Sequence, residues 1–437
     1  MDATGRDAFT RMEGISMTGA DDARCRLCGG PELTEIIDFG STPIADRLVP
    51  ASLLHEPDPM APLAVDHCGS CSLVQLRETV DPTTLFDDDY PYLSSTSRSV
   101  IDAAARHAAD LIARRDLDEG SRVVEIGSND GYMLRHFAAR GIRVLGIDPA
   151  GPAADAARRA EIPTIRAFFD RELGRRLASD GGAAELVIAN NVLAHVPDIH
   201  DFVGGLAALL KPNGIAIMEV PWVFDMMDRL AFDTIYHQHV YYFSLTALCD
   251  LLGRHGLTVN DVQRLDTQGG SLRLSVERTR SIGPNVTRML AGEAARGVDR
   301  PTAYREFGRY VADHVARLRE LLLDLKARGR RLAAYGAAAK GTMLLHACGL
   351  DRATVDYVVD RNEFKQGRYL PGSRLRIEPA ERLLQDRPDD VLLLAWNIAD
   401  EIVDQQQRYL DGGGRFVVPL PDLRFIGPNA LAQSALA

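Results

Sequence analysis

No stretch of this 437-residue chain approaches the roughly 20 consecutive apolar residues that a membrane helix needs. Residues 1–20 hold Gly, Asp, Thr and three Met but no continuous apolar segment, so a secretory signal is not expected either. Basic runs are missing too. Fifty Lys and Arg stand against 61 Asp and Glu, interspersed, for a net charge of −11, which argues against a nucleic-acid binder. Cysteine is scarce at six, too few for a disulfide-stapled secreted scaffold. What remains, at 46% hydrophobic and 25% charged, is an ordinary globular composition long enough for two or three domains. A cytoplasmic protein is expected, with residues 1–21 read as a disordered leader.

Four of the six cysteines form two pairs, Cys25-Arg26-Leu27-Cys28 and Cys68-Gly69-Ser70-Cys71. Each C-x2-C pair presents two thiolates on one tight turn, and two pairs complete a tetrahedral zinc cage. Gly29 and Gly69 suit those turns. Four thiolates leave no open coordination position, so this zinc is expected to be structural. His67 is a lesser alternative ligand, and Cys249 and Cys348 read as buried thiols.

Residues 122–126 (Arg-Val-Val-Glu-Ile) form a short strand pattern. Gly127-Ser128-Asn129-Asp130-Gly131 is a turn leading into a helical pattern. A second strand over 142–148 ends in Asp148, placed to accept ribose hydroxyls. Two more follow over 184–190 and 215–221, the former ending in Asn190 and Asn191. Ligands in open α/β sheets sit at such strand ends. Glu125-x-Gly127-x-x-x-Gly131 resembles motif I of class I S-adenosylmethionine (SAM) methyltransferases. The resemblance assigns Glu125, Gly127, Asn129, Asp130, Gly131, Asp148, Asn190 and Asn191 to the cofactor. His195 alone reads as a structural histidine closing a loop.

Tyr236-His237-Gln238-His239 is too polar for a core segment. A strand would put His237 and His239 on one face, a helix would fan them out, and either brings an imidazole into the cleft above the sheet. Metal ligation is the lesser reading, for want of a third ligand nearby. An imidazole acting as general base is the sharper one. Residues 301–329 carry Val311, Val315, Leu318, Leu321, Leu322 and Leu325 at helical spacing, a connector between domains. Beyond it, strand patterns at 331–335, 355–360, 391–396 and 416–419 repeat a nucleotide-fold layout around Gly336–Gly341. There, Lys340 and a helix N-terminus favour an anion such as a diphosphate.

Taken end to end, the chain resembles the three-domain bacterial sugar C-methyltransferases that act on dTDP-4-keto-deoxy sugars and carry an N-terminal zinc-binding domain. The paired cysteines, residues 85–97 (Leu-Phe-Asp-Asp-Asp-Tyr-Pro-Tyr-Leu-Ser-Ser-Thr-Ser) and Tyr236-His237-Gln238-His239 carry the likeness. So do 268–273 (Gln-Gly-Gly-Ser-Leu-Arg), 334–341, Asp360-Arg361-Asn362 and Lys365-Gln366-Gly367. The resemblance implies a zinc domain over 22–84, a Rossmann-like SAM domain over 85–282, and a helical connector with a second Rossmann-like α/β domain over 283–437. It implies His239 as base, Tyr236 and Gln238 as partners in the catalytic group, and Tyr92, Ser95, Ser97, His237 and Lys340 as substrate contacts. The expected reaction is methylation of carbon beside the ketone of a nucleotide-linked sugar, C3 ahead of C5, by a monomer. O-methylation of a small acceptor and a catalytically altered SAM binder are the alternatives. One departure stands out: the family's tetrad has Glu where this chain has Gln238, which brings no charge to raise an adjacent imidazole's pKa.

Overall fold

The computed structural model describes residues 17–18, 24–86, 93–96, 98–265, 270–279 and 281–428. Its centre is a seven-stranded sheet. Arg122–Ile126 lies in the middle, with Arg143–Ile147 and then Thr164–Ile165 on one side. On the other come Ala184–Asn190, Leu210–Pro221, Ser271–Glu277 and Thr258–Leu265. The first five of these pair in parallel, and Ser271–Glu277 runs antiparallel to both of its neighbours. The inner strands are nearly all Val, Ile, Leu and Ala because both faces are covered. Val123, Leu186 and Ile188 pack into one core while Val124, Val187 and Ala189 pack into the opposite one. Strand order reverses between Arg122–Ile126 and Ala184–Asn190, which places a ligand crevice at their carboxyl ends.

The cysteines belong to a four-stranded antiparallel sheet of Leu33–Pro43, Met60–Cys68, Val74–Leu76 and Tyr241–Tyr242. That last strand follows directly on the Tyr236–His239 segment, so the zinc sheet anchors it. A third sheet orders Ile377–Glu378, Val358–Val359, Leu332–Tyr335, Asp390–Leu393, Arg415–Val418 and Arg424–Ile426, parallel except at the final edge. The connecting helix is Pro301–Ala327; it buries Tyr304, Phe307, Val311, His314, Leu318, Leu322 and Leu325, one stripe at steps of three or four residues. Gly308 lets it close on the zinc sheet, where a Cβ would meet the Ile36 carbonyl, and His314 Nε2 donates to the Pro419 carbonyl at 2.6 Å.

Several expectations need correction. Most of the 1–21 leader lies outside the described residues, but Met17–Thr18 pairs with Thr79–Val80 and is a strand. The strand expected over 391–396 ends at Leu393, and Trp396 sits in a 3-10 turn. In the second cysteine knuckle the left-handed residue is Ser72 (φ 63°), the counterpart of Gly29 (φ 72°); Gly69 is not left-handed. Tyr92 and Ser97 lie outside the described residues, as do Gln268 and Gly269.

Candidate active site

The four cysteine sulfurs lie within 4.8 Å of one another, with Cys25 Sγ 3.4 Å from Cys71 Sγ and Cys28 Sγ 3.6 Å from Cys68 Sγ. A tetrahedron of about 2.3 Å Zn–S bonds has edges of about 3.8 Å, so the cage fits a zinc ion and leaves no position open for chemistry.

A cavity of about 570 Å³ opens at the sheet's reversal point. One wall is the turn after Arg122–Ile126. Gly127 (φ +69°) faces Val192, which a Cβ would approach to 3.1 Å, and Asn129 takes φ 49°. Asp148 fixes the turn: Oδ2 accepts from the Asn129 amide at 2.8 Å and Oδ1 from the Ala150 amide at 2.9 Å. A carboxylate offers about four lone-pair sites, so two remain for ribose hydroxyls. Burial pushes the Asp148 pKa up, opposed by those two amides. Asn190 and Asn191 also line the cavity, and each carries a buried side-chain oxygen without a partner. Such acceptors suit a ligand rich in N–H donors, as SAM is.

Glu125, Asp130 and Gly131 do not reach the cavity wall. Glu125 is fully buried, with no partner for either oxygen, and burial followed by Asp148, Asp130 and Glu219 raises its pKa well above the carboxylate range. Asp130 accepts from the Ser95 amide at 3.0 Å, and the Asn129 side chain from the Ser94 amide at 2.8 Å. These residues shape the turn from behind. Ser95 is also off the wall, while its neighbour Ser94 lines it.

Opposite stands the Tyr236–His239 segment, a turn rather than a strand or helix, closed by the His239 amide donating to the Tyr236 carbonyl at 2.9 Å. The turn separates its two histidines. His237 is fully buried away from the cavity, and its Nε2 donates to the Ala61 carbonyl of the zinc sheet at 3.2 Å. His239 faces the cavity with Tyr236. Its Nδ1 lies 2.8 Å from the Thr234 carbonyl, which only accepts, so Nδ1 carries the proton. Nε2 therefore offers its lone pair, and the Tyr236 hydroxyl donates to it at 2.8 Å. Burial first, then His195 and Lys340, pull the His239 pKa down to about 3. The imidazole is neutral, with Nε2 unprotonated.

Gln238 is buried off the cavity, and its side-chain oxygen lacks a partner. Its backbone carbonyl accepts from His195 Nδ1 at 2.7 Å, so His195 closes the loop while its ring also lines the cavity, 5.0 Å from that of His239. The third wall comes from the C-terminal domain: Lys340, Lys365, Trp396 and Asn397. Asp360, at the end of the strand beside the 336–341 turn, has its oxygens engaged by the Ala337 and Asn362 amides, which suits a structural turn.

Sequence reading missed Phe168, Trp222, Tyr242 and Trp396 on the wall. Trp222 had no local signal; it is held by Glu293, a buried carboxylate that also accepts from the Leu245 and Thr246 amides at 2.7 and 2.8 Å. Phe168 follows Thr164–Ile165, a strand too short to stand out.

A mostly parallel sheet of this order, with a glycine turn at its reversal point and an acid ending the next strand, defines a class I SAM-dependent methyltransferase. Family models match the chain in series: a zinc binding domain over 25–86, a methyltransferase domain over 100–262 and a C-methyltransferase C-terminal domain over 266–421. The C-methyltransferase NovU of Streptomyces niveus is 39% identical over 409 residues, 93% of this chain and 97% of that protein. The chain belongs to this family of SAM-dependent C-methyltransferases, with SAM as cofactor and structural zinc in the cysteine cage. The ubiquinone biosynthesis O-methyltransferase of Rhodopseudomonas palustris is 34% identical over 104 residues, 23% of this chain and 39% of that protein. The SAM-bound magnesium protoporphyrin IX methyltransferase of Synechocystis PCC 6803 is 19% identical over 41% of this chain and 79% of its own. At a TM-score of 0.32 that structure carries no weight for the site.

Proposed function

We propose that this C-methyltransferase acts on a nucleotide-linked 4-keto-deoxy sugar, dTDP-linked in the first instance, removing a proton from a carbon beside the ketone so that the carbon accepts a methyl group. The observation that carries the reading is the pair Tyr236–His239: a neutral imidazole whose unprotonated Nε2 meets a phenol, in the same cavity as the cofactor turn. A carbon acid beside a ketone needs a base at the carbon and a hydrogen-bond donor at the oxygen. His239 Nε2 takes the proton, and the Tyr236 hydroxyl, released from Nε2, turns to the carbonyl oxygen. The Thr234 carbonyl holds Nδ1–H, so the imidazolium that forms stays in place. Bound SAM supplies an electrophilic methyl on sulfur. Gly127, Asn129, Asp148, Asn190 and Asn191 form its side of the cavity.

C3 and C5 both flank a 4-ketone, and both are carbon acids. Support for a nucleotide-linked sugar comes from family kinship and from Lys365, which the C-terminal domain contributes to the wall. A monomer in the cytoplasm belongs to the same reading. The test is incubation with SAM and a panel of dTDP-4-keto-deoxy sugars, the new methyl being located by NMR. A methyl on carbon beside the ketone is expected; a methyl on oxygen would replace this reading with O-methylation.

A further inference from the structure

Asp233 has no task in the reaction above, yet it sits immediately before Thr234, whose carbonyl orients His239. It has no exposed surface. Oδ2 accepts from the Trp396 indole of the C-terminal domain at 2.6 Å, and Oδ1 has no hydrogen-bond partner. A buried carboxylate with an unmet oxygen is costly unless a cation stands near it. Lys340 is the cation whose charge acts on it, from beyond ion-pair contact, and both side chains meet Trp396, Asp233 at the indole N–H and Lys340 over the ring. Burial raises the Asp233 pKa to about 6 and the Lys340 charge opposes the rise; burial lowers the Lys340 pKa and Asp233 opposes that in turn. Lys340 Nζ donates to Asn397 Oδ1 at 2.7 Å and lies 5.0 Å from the centre of the Trp396 ring. It lines the cavity with Tyr236 and His239, and its charge reaches His239.

Building on the carbon-methylation reading, we infer that Lys340 is the cation that meets the enolate oxygen, with Asp233 a positioning residue that holds its ammonium at the reacting end of the cavity. This differs from the diphosphate contact expected of Lys340 from the sequence. A diphosphate carries at least two negative charges, and the neighbouring Asp233 carboxylate would repel it. A neutral ketone that becomes singly charged meets a cation whose own charge Asp233 partly balances. The step is complete in electrons: the proton goes to His239 Nε2, the C–H pair becomes the carbon–carbon double bond, and the carbonyl π pair moves to the oxygen facing Lys340. When the carbon accepts its methyl, the double-bond pair forms the new carbon–carbon bond, the S–CH3 pair would stay with the sulfur of the departing thioether, the oxygen pair returns to the carbonyl, His239 later gives its proton to solvent, and the ammonium is left unchanged.

The test uses the full chain with dTDP-4-keto-6-deoxyglucose and S-adenosylhomocysteine in D2O, following deuterium uptake beside the ketone by NMR. Lys340→Met is expected to lower the exchange rate at saturating sugar by about 100-fold, the scale of losing one oxyanion donor. KM for the sugar should change little and S-adenosylhomocysteine affinity should hold, which checks folding. Lys340→Arg should recover part of the rate, and Asp233→Asn should lower it with KM again little changed. Exchange at the unsubstituted rate in Lys340→Met, or a raised KM with the rate intact, overturns the inference and returns Lys340 to the diphosphate. Absence of exchange in the unsubstituted protein overturns the carbon-methylation reading and this inference with it.

Discussion

Gly127→Ala is the substitution whose effect the geometry specifies most fully. Its φ of +69° lies in the left-handed region, which costs a residue with a Cβ about 1–2 kcal/mol. The new Cβ would also lie 3.1 Å from Val192 Cβ and 3.2 Å from Val192 Cγ2, and overpacking of that kind costs about 1–3 kcal/mol. A total of about 3 kcal/mol, at about 2–4 °C per kcal/mol for a domain of this size, lowers Tm by about 10 °C. SAM affinity should fall with it, because Gly127 and Val192 both line the wall proposed to hold SAM. Calorimetry on Gly127→Ala, Val192→Gly, which alone removes the Val192 Cβ, and the double variant separates the two costs. Trimming Val192 relieves the clash but not the backbone strain, so the pair should couple favourably by about 1–2 kcal/mol. Additive losses in the double variant would refute the clash, and a Gly127→Ala protein as stable as its parent would refute both costs.

Gln238→Glu places a carboxylate beside His239 in a buried turn; it should raise the imidazole pKa from about 3 and move the acid limb of the kcat/KM profile to higher pH. An unmoved limb in a pH–rate series would contradict that. His237, held neutral by burial at about 4 against an ordinary 6.5, binds its proton only on unfolding, so its contribution is complete above pH 6.5 and is lost as pH falls toward 4. Urea midpoints between pH 7 and 5 should therefore fall less steeply in His237→Gln, by up to about 1.4 kcal/mol per pH unit. Stripping zinc with a chelator should abolish methyl transfer while SAM binding measured by calorimetry persists, because Tyr241–Tyr242 pairs with Val74–Leu76 next to the cysteine knuckle. Retained transfer in protein shown by metal analysis to be zinc-free would contradict the coupling.

The sequence made legible whatever local chemistry dictates. The cysteine spacing, the Glu125–Gly131 turn and the strand ending at Asp148 each announce themselves within a few residues, as does the apolar stripe of Pro301–Ala327. What it hid was made by tertiary contact. His237 and His239 look alike in sequence, and only the turn sends one ring to the zinc sheet and the other to the cavity. Trp396 reads as the end of a strand, yet it sits in a turn and its indole donates to Asp233, in the short turn Phe232–Thr234 far off in sequence. The antiparallel pair Thr258–Leu265 and Ser271–Glu277 completes the central sheet, and its 268–273 segment was legible as a family likeness but not as the start of a strand. Gln238 drew notice as a departure from the family tetrad, but the structure keeps its side chain off the cavity and uses its carbonyl to tie down His195.

The most direct measurement compares deuterium exchange beside the ketone of dTDP-4-keto-6-deoxyglucose in the unsubstituted protein and in His239→Asn. The Asn side chain preserves a donor for the Thr234 carbonyl but removes the basic Nε2. Exchange should be readily seen in the first and fall by about 100-fold or more in the second, the usual worth of a general base, with SAM affinity retained. Undiminished exchange in His239→Asn would show that another group takes the proton and would contradict the assignment of His239 as the base.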